Sequence, residues 1–249
     1  MFFRIVAAVC LAAGFAQAAD IRVLAGSAVQ PVMEELMPVF ERESGHRVVF
    51  EWGAAGGMAQ RVQQGDQGDA TIVTAPQMEA LLRGGRVVAG TRLDLGRTGV
   101  GVFVRKGAPR PDIASTEAFR RAMLEAKSIG YNDPAAGAPV SLYLIDLFER
   151  MGITAQMAPK TVVFKKRTDR FDAVARGDVE IGFNQVSEIV AQPGVDLVGP
   201  LPGAIQNMTT MSVGVLVNAE NPQAAKALVA FLKRPESMAT FARKGFDKP

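Results

Sequence analysis

Ile21-Arg22-Val23-Leu24-Ala25-Gly26-Ser27, followed by Val29, Val32, Met33, Leu36 and Phe40, decides the fold class. The first five residues are mostly apolar and predict a strand that ends at Gly26-Ser27. The later apolar residues recur at three- and four-residue spacing. Glu34, Glu35, Glu41 and Arg42 fall on the other faces, so an amphipathic helix is predicted. Pro31 is tolerated in a first turn, where its missing N–H is not needed. Ser44-Gly45 supplies the stop. Strand, short loop and helix form the repeating unit of α/β proteins.

The same grammar runs outward from that unit. Residues 47–52 read as a strand, Gly53-Ala54-Ala55-Gly56-Gly57 as a tight loop, and 58–64 as a short helix. Residues 69–74 and 76–82 form a third strand and helix, completing a first lobe. A second lobe opens with a strand over 101–105 and a helix that Ser115 caps. Strands follow over 128–132, 161–164, 179–184 and 195–198, with helices over 139–151 and 169–175. Asp133-Pro134-Ala135-Ala136-Gly137 is a loop between the first of these strands and its helix. Residues 211–217 form a last strand. Asn221-Pro222 opens a helix on Ala225, Leu228, Val229 and Leu232, and 235–242 close the chain with another.

The beginning of the chain reads as a cleavable export signal over residues 1–18. Arg4 gives a positive start, residues 5–15 are apolar, and Ala16-Gln17-Ala18 fits the small-residue cleavage rule. An exported, periplasmic protein is expected. The single cysteine, Cys10, falls inside that leader without a lipoprotein pattern, so the mature chain has no disulfide or thiolate chemistry. The net charge of +3 drops by one when Arg4 leaves. Lys165-Lys166-Arg167 is an isolated basic cluster without interleaved aromatics, so no nucleic-acid partner is expected.

Four stretches carry a resemblance to a known family: residues 24–27, Trp52-Gly53-Ala54-Ala55-Gly56, Gly68-Asp69-Ala70-Thr71-Ile72-Val73, and Gly177-Asp178-Val179-Glu180-Ile181-Gly182-Phe183. With the order of elements, they resemble the type II periplasmic solute-binding proteins, and in detail the molybdate-binding group. The resemblance implies an α/β fold of two Rossmann-like lobes joined by two crossover strands. The crossings fall near residues 99–104 and 208–213. It places residues 19–98 and 208–249 in lobe one and 99–207 in lobe two. It also implies a small anion in the inter-lobe cleft, a molybdate- or tungstate-like oxyanion, with a hinge and delivery by a monomer to an inner-membrane permease of an ABC importer.

The candidate binding residues sit on loops before helices, where free N–H groups and the helix dipole favour anions. Ser27, with the N–H groups of Ala28 and Val29, is one such group, read equally as a plain N-cap. Ala54, Ala55 and Gly56 form the second, at the same carboxyl end of the strands. Ala136 and Gly137 face them from lobe two, with Asp133 bracing the loop. The sequence departs from the molybdate pattern, which has a second hydroxyl where Ala54 and Ala55 lie and a tyrosine near Gln185. Asn184 and Gln185 offer amides instead. That set suits a tetrahedral oxyanion such as molybdate or tungstate, or a small organic di- or tricarboxylate. Arginine forks onto carboxylates, so Arg97, Lys165, Lys166, Arg167 and Arg170 are candidates, and a cleft arginine argues for an organic acid.

No enzyme motif is present. His46 is the one histidine, between a helix and a strand. The chain has no nucleophile elbow, metal-ligand spacing, P-loop or dinucleotide fingerprint, so no cofactor and no metal are expected. A two-lobed transferase would need a base at the cleft, for which Asp133 and Glu188 are the candidate acids. A ligand-sensing partner of a receptor is a further reading.

Overall fold

The computed structural model describes residues 18–249, apart from the side chain of Arg167. The leader expected over residues 1–18 lies outside them, Ala18 excepted. The chain begins with β1 (Asp20–Gly26), a helical turn at Ser27–Val29, α1 (Gln30–Ser44), β2 (Arg47–Gly53), α2 (Ala55–Gln64), β3 (Ala70–Thr74) and α3 (Ala75–Arg83). It continues with β4 (Leu93–Arg105), α4 (Thr116–Glu125), β5 (Ile129–Asn132), a turn at Pro134–Ala136, α5 (Pro139–Arg150) and α6 (Thr154–Met157). Then come β6 (Thr161–Phe164), α7 (Arg167–Arg176), β7 (Ile181–Gln185), α8 (Val186–Ile189) and β8 (Val195–Pro200). The chain ends with β9 (Met208–Val215), α9 (Pro222–Leu232) and α10 (Pro235–Arg243).

The strands lie in the order β2-β1-β3-β9-β4-β7-β5-β6, with β8 also paired to β4. Parallel trios at the two ends, β2-β1-β3 and β7-β5-β6, come from the strand–helix units. Between them, β4 is the bridge. It pairs antiparallel with β9 through Gly99, then with β7 from Val100 and with β8 from Gly101. One continuous strand therefore belongs to both lobes. Only 101–105 is apolar enough to read as a strand from sequence. Asp94, Gly96, Arg97 and Gly99 hide the first half, which a bulge between Asp94 and Gly96 accommodates.

Each lobe has its own core. In the first, the α1 stripe of Val32, Met33, Leu36 and Phe40 packs with β1 and with Leu228 and Leu232 of α9. In the second, Phe119, Leu144, Phe148 and Phe183 share one cluster. α1 stops where expected, because Gly45 at φ 72° takes the left-handed cap that bulkier residues avoid. Ser115 caps α4 as expected, its Oγ accepting from the Ala118 N–H at 3.1 Å.

Two of the family-like stretches, 68–73 and 177–183, carry structural contacts. Asp69 is buried, and its carboxylate accepts from the Arg22 N–H at 2.8 Å and the Asn221 N–H at 2.6 Å, tying β1 to the start of α9. Glu180 accepts from the Lys127 N–H at 2.6 Å. Gly182 makes room for a ring: a Cβ there would stand 2.1 Å from Cζ of the buried Phe103.

One local expectation is corrected. Gly53 to Gly57 is not all loop, because α2 begins at Ala55 and Gly56 and Gly57 lie in its first turn. The N–H groups of a first turn are unused by the helix itself, so nothing in this start opposes helix formation. No helix among the described residues is long and apolar enough to cross a membrane.

Candidate functional site: the inter-lobe cleft

A cleft of about 350 Å³ opens between the lobes. The first lobe lines it with Ser27, Ala28, Trp52, Ala54 and Ala55, at or just past the ends of β1 and β2. The second lobe contributes Asp133, Ala136, Ser141, Asn184, Gln185 and Glu188, together with the cations Lys165, Lys166 and Arg170. Trp52, Val140, Phe183 and Met211 add apolar wall.

Three helix starts reach this space. Ala54, at the N-cap of α2, has an extended backbone, and Met58 donates to its carbonyl at 3.0 Å, so the N–H of Ala55, on the lining, comes before the first helical bond. In α5, Leu142 is the donor that returns to Ala138, at 3.2 Å, with Pro139 at the start. Ala28 and Val29 lead into α1. Their N–H dipoles favour negative charge.

Several polar side chains of the lining are buried. Ser141 Oγ, Asn184 Nδ2 and Gln185 Oε1 are buried and have no hydrogen-bond partner in the protein. A buried polar atom left unmade costs about 1–3 kcal/mol, so three at one cleft are candidate groups to meet a ligand or water. Arg170 is only 1% exposed. Its Nη1 donates to Asn132 Oδ1, and its Cζ stands 4.8 Å from the Phe171 ring centroid. Both contacts fix the guanidinium on the cleft wall. Lys165 and Lys166 are exposed along the same rim. With Asp133 and Glu188 also present, the charged side chains that line the cleft sum to a net of about one positive charge.

The expected residues are sorted by this geometry. Ser27, Ala28, Ala54, Ala55, Ala136, Asn184 and Gln185 line the cleft. Ser27 is not an N-cap: its hydroxyl donates to the Gly53 carbonyl at 3.2 Å, joining two of the binding loops. Asp133 braces its own loop, accepting from the Ala135 N–H at 2.9 Å. Gly56 and Gly137 are not on the lining but touch each other where the lobes meet.

Arg97 is a correction. It is exposed and outside the cleft, since its backbone pairs with Asp247 in both directions, at 3.0 and 2.8 Å. The bulge before it and the C-terminal segment beside it decide that placement, and neither is visible locally. His46 is half-buried, and its Nδ1 accepts from the Ala19 N–H at 3.3 Å, a structural contact. Sequence reasoning missed Ser141. The signal available was Pro139, a favoured first residue of a helix, with Ser141 two places on.

On one side the lobes are stitched through α8. Ser187 Oγ donates to the Ala28 carbonyl at 3.0 Å, and the Ser187 N–H donates to Thr98 Oγ1 on the bridging strand at 3.3 Å. The cleft is thus framed by contacts of both lobes.

A family model described as bacterial extracellular solute-binding protein matches residues 21–247. The chain belongs to that family. Among relatives, this solute-binding protein is 31% identical over 217 residues to an aconitate isomerase of Pseudomonas sp, covering 84% of this chain and 80% of that one. It is 25% identical over 238 residues to the molybdate-binding protein ModA of Azotobacter vinelandii, covering 93% and 91%. The solved periplasmic molybdate-binding protein of Azotobacter vinelandii superposes with a TM-score of 0.76 at 17% identity, over 92% of this chain and 99% of that one. That last likeness speaks for the two-lobed fold alone.

Proposed function

We propose that this solute-binding protein captures a small organic di- or tricarboxylate in the cleft, in the periplasm, and delivers it as a monomer to an inner-membrane ABC permease. The observation that carries the reading is Arg170, a buried guanidinium held on the cleft wall beside Lys165 and Lys166. Guanidinium forks onto carboxylate in two parallel hydrogen bonds. The apolar wall of Trp52, Val140, Phe183 and Met211 suits a carbon skeleton. The cleft volume lies at the small-molecule end of ligand sites, about 300–1,000 Å³. These features favour a carboxylate over molybdate or tungstate, for which the hydroxyls expected at Ala54, Ala55 and Gln185 are absent.

A second reading, an isomerase of an unsaturated polycarboxylate, has one specific observation behind it. Glu188 places a carboxylate, 5% exposed, on the lining of an anion cleft, in a chain similar to an aconitate isomerase. A base beside an activated C–H is what a proton shift needs. A thermal-shift screen against citrate, tricarballylate, cis- and trans-aconitate, succinate, molybdate and sulfate tests the binding reading. Ligand at a hundred times its Kd adds about 2.7 kcal/mol of stability. A shift with the organic acids supports the proposal, and a shift with molybdate alone overturns it. Proton NMR of cis- and trans-aconitate in D2O with the same protein tests the second: interconversion makes it an enzyme, and unchanged spectra restrict it to capture.

A further inference from the structure

We propose that Gly56 and Gly137 form a glycine latch that lets the lobes close over the ligand, and that Gly56 sets affinity without touching the ligand. The inference rests on the reading of the cleft as a ligand site and goes beyond it. The two residues come from different lobes, at the first turn of α2 and the end of the turn that follows β5. A Cβ on Gly56 would lie 2.7 Å from the Gly137 carbonyl oxygen and 2.8 Å from its Cα. The three nearest atoms all belong to the Gly137 backbone. In the reverse direction, a Cβ on Gly137 would lie 2.9 Å from the Gly56 Cα. Backbone meets backbone here, so no side chain can rotate away to make room. A methyl group at this point would hold the lobes apart.

The neighbour supplies the contrast. Gly57 lies in the same helical turn, and its Cβ would meet the Ala136 carbonyl oxygen at 3.4 Å, an ordinary contact. Alanine is the better helix former of the two residue types, because glycine loses more chain entropy on folding. Gly56→Ala and Gly57→Ala therefore both favour α2, and only Gly56→Ala opposes closure. Glycine at 56 is unfavourable for the helix that holds it, and the inter-lobe contact is the reason for it. Gly137 at φ 71° needs glycine for its backbone alone, so it is not the position to substitute.

A ligand that bridges both lobes binds through the closed state, and its apparent affinity scales with the fraction of protein able to close. Gly56→Ala should weaken binding by about tenfold or more with an unchanged or higher melting temperature for the unliganded protein. The mature chain has no cysteine, so spin labels on Gln60→Cys and Leu142→Cys, exposed residues of the two lobes, report inter-lobe distance by electron–electron resonance. The labelled protein is measured with and without citrate, as wild type, Gly56→Ala and Gly57→Ala, and citrate affinity is taken by calorimetry. A short-distance population in wild type and Gly57→Ala that is lost in Gly56→Ala supports the latch. Equal distance distributions and equal citrate affinity in all three overturn it, as does a wild type that never shows the short distance. A wild type that ignores citrate yet shows the short distance, lost in Gly56→Ala, upholds the latch while sinking the carboxylate reading.

Discussion

Replacing Arg170 with methionine should weaken both binding and folding. The guanidinium is almost fully buried on the cleft wall, held by Asn132 and by the Phe171 ring. In the proposed complex it donates two charge-assisted hydrogen bonds to one carboxylate. Hydrogen bonds to charged groups contribute about 1.5–3 kcal/mol net each, so the loss of even one predicts a rise in citrate Kd of roughly 10- to 150-fold, and the loss of both a larger one. Stability should fall as well. Arg170→Met leaves Asn132 Oδ1 without its donor, a loss of about 1–3 kcal/mol, and takes a cation from a wall that also carries the buried carboxylate of Glu188. The melting temperature should drop by several degrees, at about 2–4 °C per kcal/mol for a chain of this size. Arg170→Lys keeps the charge without the planar fork and should fall between wild type and Arg170→Met in affinity. Titration calorimetry with citrate, beside scanning calorimetry of the unliganded protein, reads both quantities. Citrate affinity within about twofold of wild type in Arg170→Met (under 0.5 kcal/mol) would refute the reasoning, because Arg170 would then be a structural ion that faces no ligand.

Further outcomes follow from the same geometry. Ser141→Ala removes a buried hydroxyl with no protein partner, so unliganded stability should hold or rise slightly while ligand affinity falls by up to about tenfold; thermal shift with and without citrate checks both. Gly182→Ala puts a methyl 2.1 Å from the buried Phe103 ring and should cost about 1–3 kcal/mol in urea unfolding, with binding retained in the folded fraction. Asp94 titrates below its ordinary range. Partial burial pushes its carboxyl up, but hydrogen bonds from Arg92 and Ser212 together outweigh that and hold it down. A depressed folded pKa gives stability that is present above the unfolded value, about pH 4, and is lost as pH falls through the folded one. Asp94→Asn should therefore lower stability at neutral pH and flatten the acid limb of the melting-temperature profile. An acid limb as steep as that of wild type would count against it.

The sequence by itself determined the alternation of strands and helices and the ends of the strands at which the donors gather. Those are local properties: apolar period, caps and glycine stops act within one turn or one strand, as Ser115 and Gly45 show. It also narrowed the cations to a short set that included Arg170. Tertiary structure alone decided which of them faces the cleft. Arg97 and Arg170 are equally basic in sequence, but Arg97 sits beyond a bulge with its backbone tied to the C-terminal segment, while α7 packs so that Arg170 faces inward. The first half of β4 was illegible for a related reason: its charged and glycine residues form a strand because β9 lies beside them to pair with. Ser141 and the Gly56–Gly137 contact depend on the approach of two lobes whose residues lie far apart in the chain. No local pattern encodes that approach, because docking is fixed by the bridging strands and by the shapes of two separately formed cores.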